Sequence, residues 1–443
     1  MNRKLAFRVL TFCIVGAVIT AVALYVSNLT AGAKNSAKPD MSSELIERGA
    51  YLAKLGDCAA CHSVPGRPPF AGGYRMSTPI GAIYSTNITP DATYGIGHFE
   101  LADFDRALRF GVSRGHTLYP AMPYVSYANT KPEDVEALYA FFKQGVAAAA
   151  IPNRKADIPF PLSMRWPLTI WRWLWAPRPS PFDDGRFDRD VAHGAYFVEG
   201  LGHCGECHTP RGLAFELEAR TPAEGATFLS GAVIENWYAP SLRSGGAGTL
   251  ETWSEQDLEQ FLIQGVNRHG AVFGSMSDVI VHSSQYMTAD DARATAKYLK
   301  TLKDASSATP FSYDGATDRS LSSGDATRRG AITYLDNCAA CHRPDGRGYE
   351  GVFPSLAGNS AVEASNATSV VSIVLGGSST PRTADTPAQF AMPAFAWRLS
   401  DQEVADVVSF VRSSWGNRAN AIDEAQVHKL RLTLGTFHEQ ESR

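Results

Sequence analysis

The chain has 443 residues, is 44% hydrophobic and 19% charged, and carries a net charge of −4. That balance suits a globular protein of about three domains. It excludes a disordered chain and gives no basic footprint for nucleic acid, which is not expected as a partner. Seven cysteines are present, and six fall in three Cys-x-x-Cys-His runs, so no thiols remain for a disulfide framework.

Arg3, Lys4 and Arg8 precede an uncharged apolar run from Val9 to Val26, and small residues follow at Thr30-Ala-Gly-Ala33. Positive, apolar, then small is the order of an export signal. Cleavage near Ala31–Ala33 is the preferred reading. An uncleaved anchor is the alternative, because the run is just long enough to span a bilayer. Cys13, inside the run, is an apolar filler. Either way the bulk of the chain lies outside the cytoplasm.

Three similar units follow. The approach to each signature reads as a helix: Arg48-Gly-Ala-Tyr-Leu, His193-Gly-Ala-Tyr-Phe and Arg329-Gly-Ala-Ile-Thr. The small Gly-Ala pair would let another helix come close. The signatures are Cys58-Ala-Ala-Cys61-His62, Cys204-Gly-Glu-Cys207-His208 and Cys338-Ala-Ala-Cys341-His342. Pro/Gly turns stop each helix after the histidine. Irregular segments come next, at 85–88, 239–242 and 353–356. A backbone carbonyl there can hold the second nitrogen of the histidine. The last two segments contain Pro240 and Pro354, whereas the first has no proline in the matching place, so the sequence marks the carbonyl less clearly for His62, the first to examine for a difference. Middle helices are predicted over 101–110, over 253–262 with a Ser254/Asp257 capping box, and over 369–375. Each unit then offers a methionine before its closing helix: Met122, Met276 and Met392. The closing helices are predicted over 132–143, 289–302 and 400–415, the last opening with a Ser400/Glu403 capping box.

This pattern is the chemistry of covalent haem c. Cysteines one turn apart add across the haem vinyl groups, and the adjacent histidine reaches the iron from one face. His62, His208 and His342 are the proximal candidates. A methionine thioether on the far face favours Fe(II) and leaves no open position, which suits electron transfer. Met122 and Met392 sit beside prolines, whereas Met276 does not and has Met287 and His269 as rivals. His98, His116, His193, His203 and His282 read as surface or structural residues. The expected fold is all-α, with three tandem domains of the class I cytochrome c type. The boundaries are 1–33 signal or anchor, 44–148 first domain, 149–182 Trp-rich linker, 183–304 second domain, 305–322 linker, 323–416 third domain and 417–443 tail.

The motifs from Gly56-Asp-Cys-Ala-Ala-Cys-His62 to Tyr119-Pro-Ala-Met-Pro-Tyr124, with Phe160-Pro-Leu-Ser-Met-Arg-Trp-Pro167, Leu201–Gly212 and Phe273–Val279, resemble the three-haem cytochrome c subunits of bacterial membrane-bound dehydrogenases. Gluconate 2-dehydrogenase and the fructose, sorbitol and quinoprotein alcohol dehydrogenases carry such subunits. The resemblance implies a relay on the periplasmic face of the inner membrane. Its partners would be a catalytic flavoprotein or quinoprotein subunit, a small third subunit and ubiquinone. No dinucleotide fingerprint, zinc site or nucleophile triad is visible, so substrate oxidation belongs to another chain. The competing readings are a stand-alone multihaem periplasmic carrier and a haem reductase or peroxidase. The second of these needs an open iron position, which the three methionines oppose.

The stretch from Pro161 to Pro177 holds four of the eight tryptophans with Arg165 and Arg172. It suits a membrane interface or a linker packed across two domains. The tail from Ile422 to Leu434 is weakly amphipathic. It could dock on a partner or on lipid, or do neither.

Overall fold

A computed structural model describes residues 40–78, 80–234, 236–245, 250–303 and 311–441, and isolated positions before them (12, 16, 23, 26–28 and 32). Most of the N-terminal run lies outside the described residues, and so do Cys13, Ala31 and Ala33. Among the described residues no helix is long and apolar enough to cross a membrane. The chain forms two compact units, one of residues 1–183 with 199–203 and one of 184–198 with 204–443.

In the first unit, α1 (Ser43–Leu55) starts at Ser42, whose hydroxyl accepts from Leu45 N–H. The signature forms its own short helix, α2 (Cys58–His62). Then come α3 (Leu101–Phe110) and α4 (Pro132–Ala140), which begins on a proline at its first turn and widens into a π-turn over Phe141–Gly145. The Trp-rich stretch forms α5 (Trp166–Trp175). The second unit contains the parts of the second and third repeats. These are α6 (Arg189–Tyr196), α7 (Gly205–His208), α8 (Glu255–Gln264), α9 (Ser275–His282) and α10 (Ala289–Thr301), then α11 (Ala331–Asn337), α12 (Ala339–His342), α13 (Thr368–Gly376) and α14 (Asp401–Arg412). Both predicted capping boxes form, Ser254 with Asp257 and Ser400 with Glu403. Short two-stranded antiparallel hairpins qualify the all-α expectation, for example Arg75–Thr78 with Gly81–Tyr84 and Ala232–Ile234 with Trp237–Ala239.

One contact recurs three times. The glycine of each approach helix lies against the backbone of its closing helix. A Cβ would fall 1.9 Å from the Ala137 carbonyl oxygen at Gly49, 2.0 Å from that of Ala294 at Gly194 and 2.3 Å from that of Asp406 at Gly330. The residue before each glycine ties the same helix pair through a carboxylate of the closing helix. Arg48 pairs with Asp134, His193 with Asp291, and Arg329 with Asp406 at 2.9 Å.

The tail is built into the fold. α15 (Glu424–Glu441) buries Val427 completely and lays Leu430 and Leu434 on the third repeat's core, around Tyr334, Phe410 and Trp415. Asp401 holds it through Arg431 at 2.6 Å and His428 at 2.9 Å.

Helix α5 packs one face inward. Thr169 is buried, Trp171 meets Tyr124 edge-on at 6.4 Å, and the Arg165 guanidinium lies 4.1 Å from the Tyr119 ring. Its other face and the preceding loop stay open: Phe160, Leu162, Trp166, Trp173 and Leu174 are each more than half exposed.

Candidate haem sites

Each signature is a single helical turn, so its two cysteines project on one side, next to the histidine. None of the six cysteines is in a disulfide. Among the described residues no three His, Cys, Asp or Glu side chains converge as a metal cage, as a zinc site would require. Burial pushes the thiols of Cys58, Cys204 and Cys338 up to about 12. They therefore stay protonated, unlike metal-binding thiolates. Asp57 and His203, directly before the first two signatures, have left-handed backbones at φ 52° and 39°. Asp and His tolerate that region better than most side chains.

The decisive geometry is on the histidines. His62 Nδ1 lies 2.7 Å from the Thr86 carbonyl oxygen, His208 Nδ1 2.7 Å from that of Pro240, and His342 Nδ1 3.0 Å from that of Pro354. A carbonyl only accepts, so each Nδ1 carries the proton and each Nε2 keeps its lone pair. Burial holds all three imidazoles below the ordinary histidine range, against the opposing pull of those hydrogen bonds. They are therefore neutral, as iron binding requires. His62 lacks the proline that marks the other two loops, yet Thr86, inside the 85–88 segment, supplies its carbonyl at the same distance as Pro240. Close backbone approach helps at the first site: a Cβ on Gly72 would fall 2.4 Å from the Thr86 carbonyl carbon.

The methionines sit on equivalent ground. Each middle helix ends on a glycine with positive φ: Gly111 at 61°, Gly265 at 71° and Gly377 at 73°. A short hairpin follows each glycine, at 112–117, 266–271 and 378–392. Met122 and Met276 lie just beyond the first two hairpins, and Met392 lies on the third. All three are half-buried rather than core residues. Met287, the rival of Met276, is 6% exposed and belongs to the core. His269 is engaged elsewhere, stacked on Trp253 at 4.8 Å and bonded to Asp257 at 3.2 Å. Of the histidines read as structural, His203 packs edge-on against Tyr127 and His193 is hydrogen-bonded to Asp291. The three glycine caps went unread in the sequence, although glycine directly after a helical pattern is a legible stop signal.

The donor set fits covalent haem: two thiols on one turn, a neutral imidazole with Nε2 unspent, and a thioether in a following loop. The cytochrome c family profile matches residues 327–415. The cytochrome c subunit of a quinone alcohol dehydrogenase from Gluconacetobacter polyoxogenes is 48% identical over 92% of this chain and 88% of that protein. The gluconate 2-dehydrogenase cytochrome c subunit of Pantoea cypripedii is 50% identical over 85% of this chain and 87% of its own length. The fructose dehydrogenase cytochrome subunit of Gluconobacter japonicus is 38% identical over 87% and 82%. With a haem c domain at its C-terminal end and relatives of this identity along nearly its whole length, the chain belongs to the family of dehydrogenase cytochrome c subunits.

Proposed function

We propose that this chain holds three haems c and relays electrons from a catalytic dehydrogenase subunit to ubiquinone at the periplasmic face of the inner membrane. The observation that carries the proposal is the threefold recurrence of a signature histidine whose Nδ1 is committed to a backbone carbonyl. In this reading Cys58 and Cys61, Cys204 and Cys207, and Cys338 and Cys341 form the thioethers. His62, His208 and His342 bind from the proximal side, and Met122, Met276 and Met392 from the distal side. Bound haem c supplies a reversible one-electron couple. The residues would orient it and keep the imidazoles neutral. With a histidine and a methionine holding each haem, no iron position would be left open to a substrate.

The partner is a flavoprotein or quinoprotein subunit that oxidises a sugar, sugar acid or alcohol, with a small third subunit. The exposed apolar surface of Phe160, Leu162, Trp166, Trp173 and Leu174 supports contact with the membrane interface. Purification from membranes tests the reading. The expected result is three haems per chain by pyridine haemochrome assay, a co-purifying flavin or pyrroloquinoline quinone subunit, and substrate-driven quinone reduction. Fewer haems would remove the haem assignment. Recovery of the chain alone and soluble would remove the complex.

A further inference from the structure

The third repeat reaches across to the loop that holds the second repeat's histidine. Pro240, the acceptor for His208, directly follows the strand Trp237–Ala239. That strand is paired on one side with Ala232–Ile234. On the other side lies α13, which belongs to the third repeat. Ser369 uses its hydroxyl twice: Tyr238 N–H donates to it at 2.8 Å, and it donates to the Tyr238 carbonyl at 3.0 Å. One turn along, Ser372 donates to the Asn236 carbonyl at 2.8 Å. Both serines are buried to within 1% of full enclosure, so no water can take over these bonds. A serine hydroxyl paired as donor and acceptor to one backbone residue imitates a neighbouring strand. The hairpin edge is thereby closed by two side chains more than a hundred residues away in sequence.

Ser369 acts on Tyr238, two residues from the carbonyl that sets the imidazole. The strength of the Nδ1–H···O bond tunes how strongly Nε2 donates to a bound metal. From this we infer that Ser369, supported by Ser372, is a positioning residue for the second haem site, so that the third repeat helps set the second site's reduction potential. The inference rests on the haem reading of His208. It ties the second site's histidine loop to the packing of a third-repeat helix.

The test uses the full-length, haem-loaded chain with Ser369→Ala, Ser372→Ala and both together. Potentiometric titration resolves the three midpoints, and EPR of the oxidised chain resolves the three low-spin signals. A Met276→Ala chain identifies which midpoint and signal belong to the second site. Ser409→Ala, which removes a third-repeat hydroxyl bonded to Ile422 instead, serves as the control for simple destabilisation. Loosening the carbonyl weakens the histidine as a donor. The second-site midpoint is therefore expected to rise and its EPR signature to change in Ser369→Ala, more so in the double variant, and not in Ser409→Ala. Unmoved second-site midpoint and signal in a chain that still carries three haems would overturn the inference and leave the haem reading intact. A haem count below three in the unmodified chain would overturn the haem reading itself. If the double variant does not accumulate, the single variants decide.

Discussion

Gly194→Ala is the sharpest test of how the repeats are assembled. The added methyl would sit 2.0 Å from the Ala294 carbonyl oxygen and 2.4 Å from its carbon. These are backbone atoms of α10, so no side chain can turn aside. An ordinary carbon–oxygen contact needs about 3.4 Å, so α6 and α10 must separate by roughly 1.4 Å. Overpacking of this kind costs about 1–3 kcal/mol, and a rigid backbone obstacle belongs at the upper end. Alanine recovers at most ~1 kcal/mol of helix propensity over glycine. The net loss is about 2 kcal/mol, or roughly 4–8 °C in the melting temperature of a unit of this size. Differential scanning calorimetry of the haem-loaded chain reads it. Gly376→Ala, at the end of α13 with nothing within 4 Å, is the matched control and is expected to be neutral or slightly stabilising. If both variants melt alike, the close approach of α6 to α10 is not a constraint and the argument fails.

Other consequences are open to equally direct measurement. If Met276 binds the second haem as proposed, Met276→Ala is expected to convert that haem to high spin, and an unchanged spectrum removes Met276 as a ligand. Burial alone would raise the Asp257 carboxyl, but hydrogen bonds from Arg268, Ser254 and His269 prevail and hold it well below the usual carboxylate range. A depressed carboxyl stabilises the fold above its unfolded value of about 3.9 and loses that contribution as pH falls through the folded value. Asp257→Asn is therefore expected to cost about 1–3 kcal/mol at pH 7 and to flatten the decline below pH ~4. Parallel melting profiles between pH 2 and 7 would contradict this. Trp415→Ala empties a site 1% exposed and leaves the Pro344 carbonyl without its Nε1 donor at 2.9 Å. A loss of about 3–5 kcal/mol from the third repeat is expected by denaturant titration.

Signals confined to a few consecutive residues were readable directly from the chain. The signatures, the Ser254 and Ser400 caps and the small residue at Gly49, Gly194 and Gly330 all belong to this class. The segment that holds His62, residues 85–88, was readable, but which of its carbonyls accepts was not, because every residue has a carbonyl and Thr86 carries no mark of its use. The serines of α13 look like ordinary polar residues within a helix. Their partners, Tyr238 and Asn236, become visible only when distant segments are folded together. In the tail the weak period did mark one side, Val427, Leu430 and Leu434, but not its partner, which is the third repeat's own core.

All three histidines lean on main-chain oxygen. No point substitution can delete such an acceptor, so ordinary mutation leaves the bond in place while the neighbouring sequence drifts. A lineage, or an engineer, wishing to retune one station must shift the path of a loop rather than exchange a ligand's partner. The levers for that lie outside the haem pocket, in whatever braces the loop from behind.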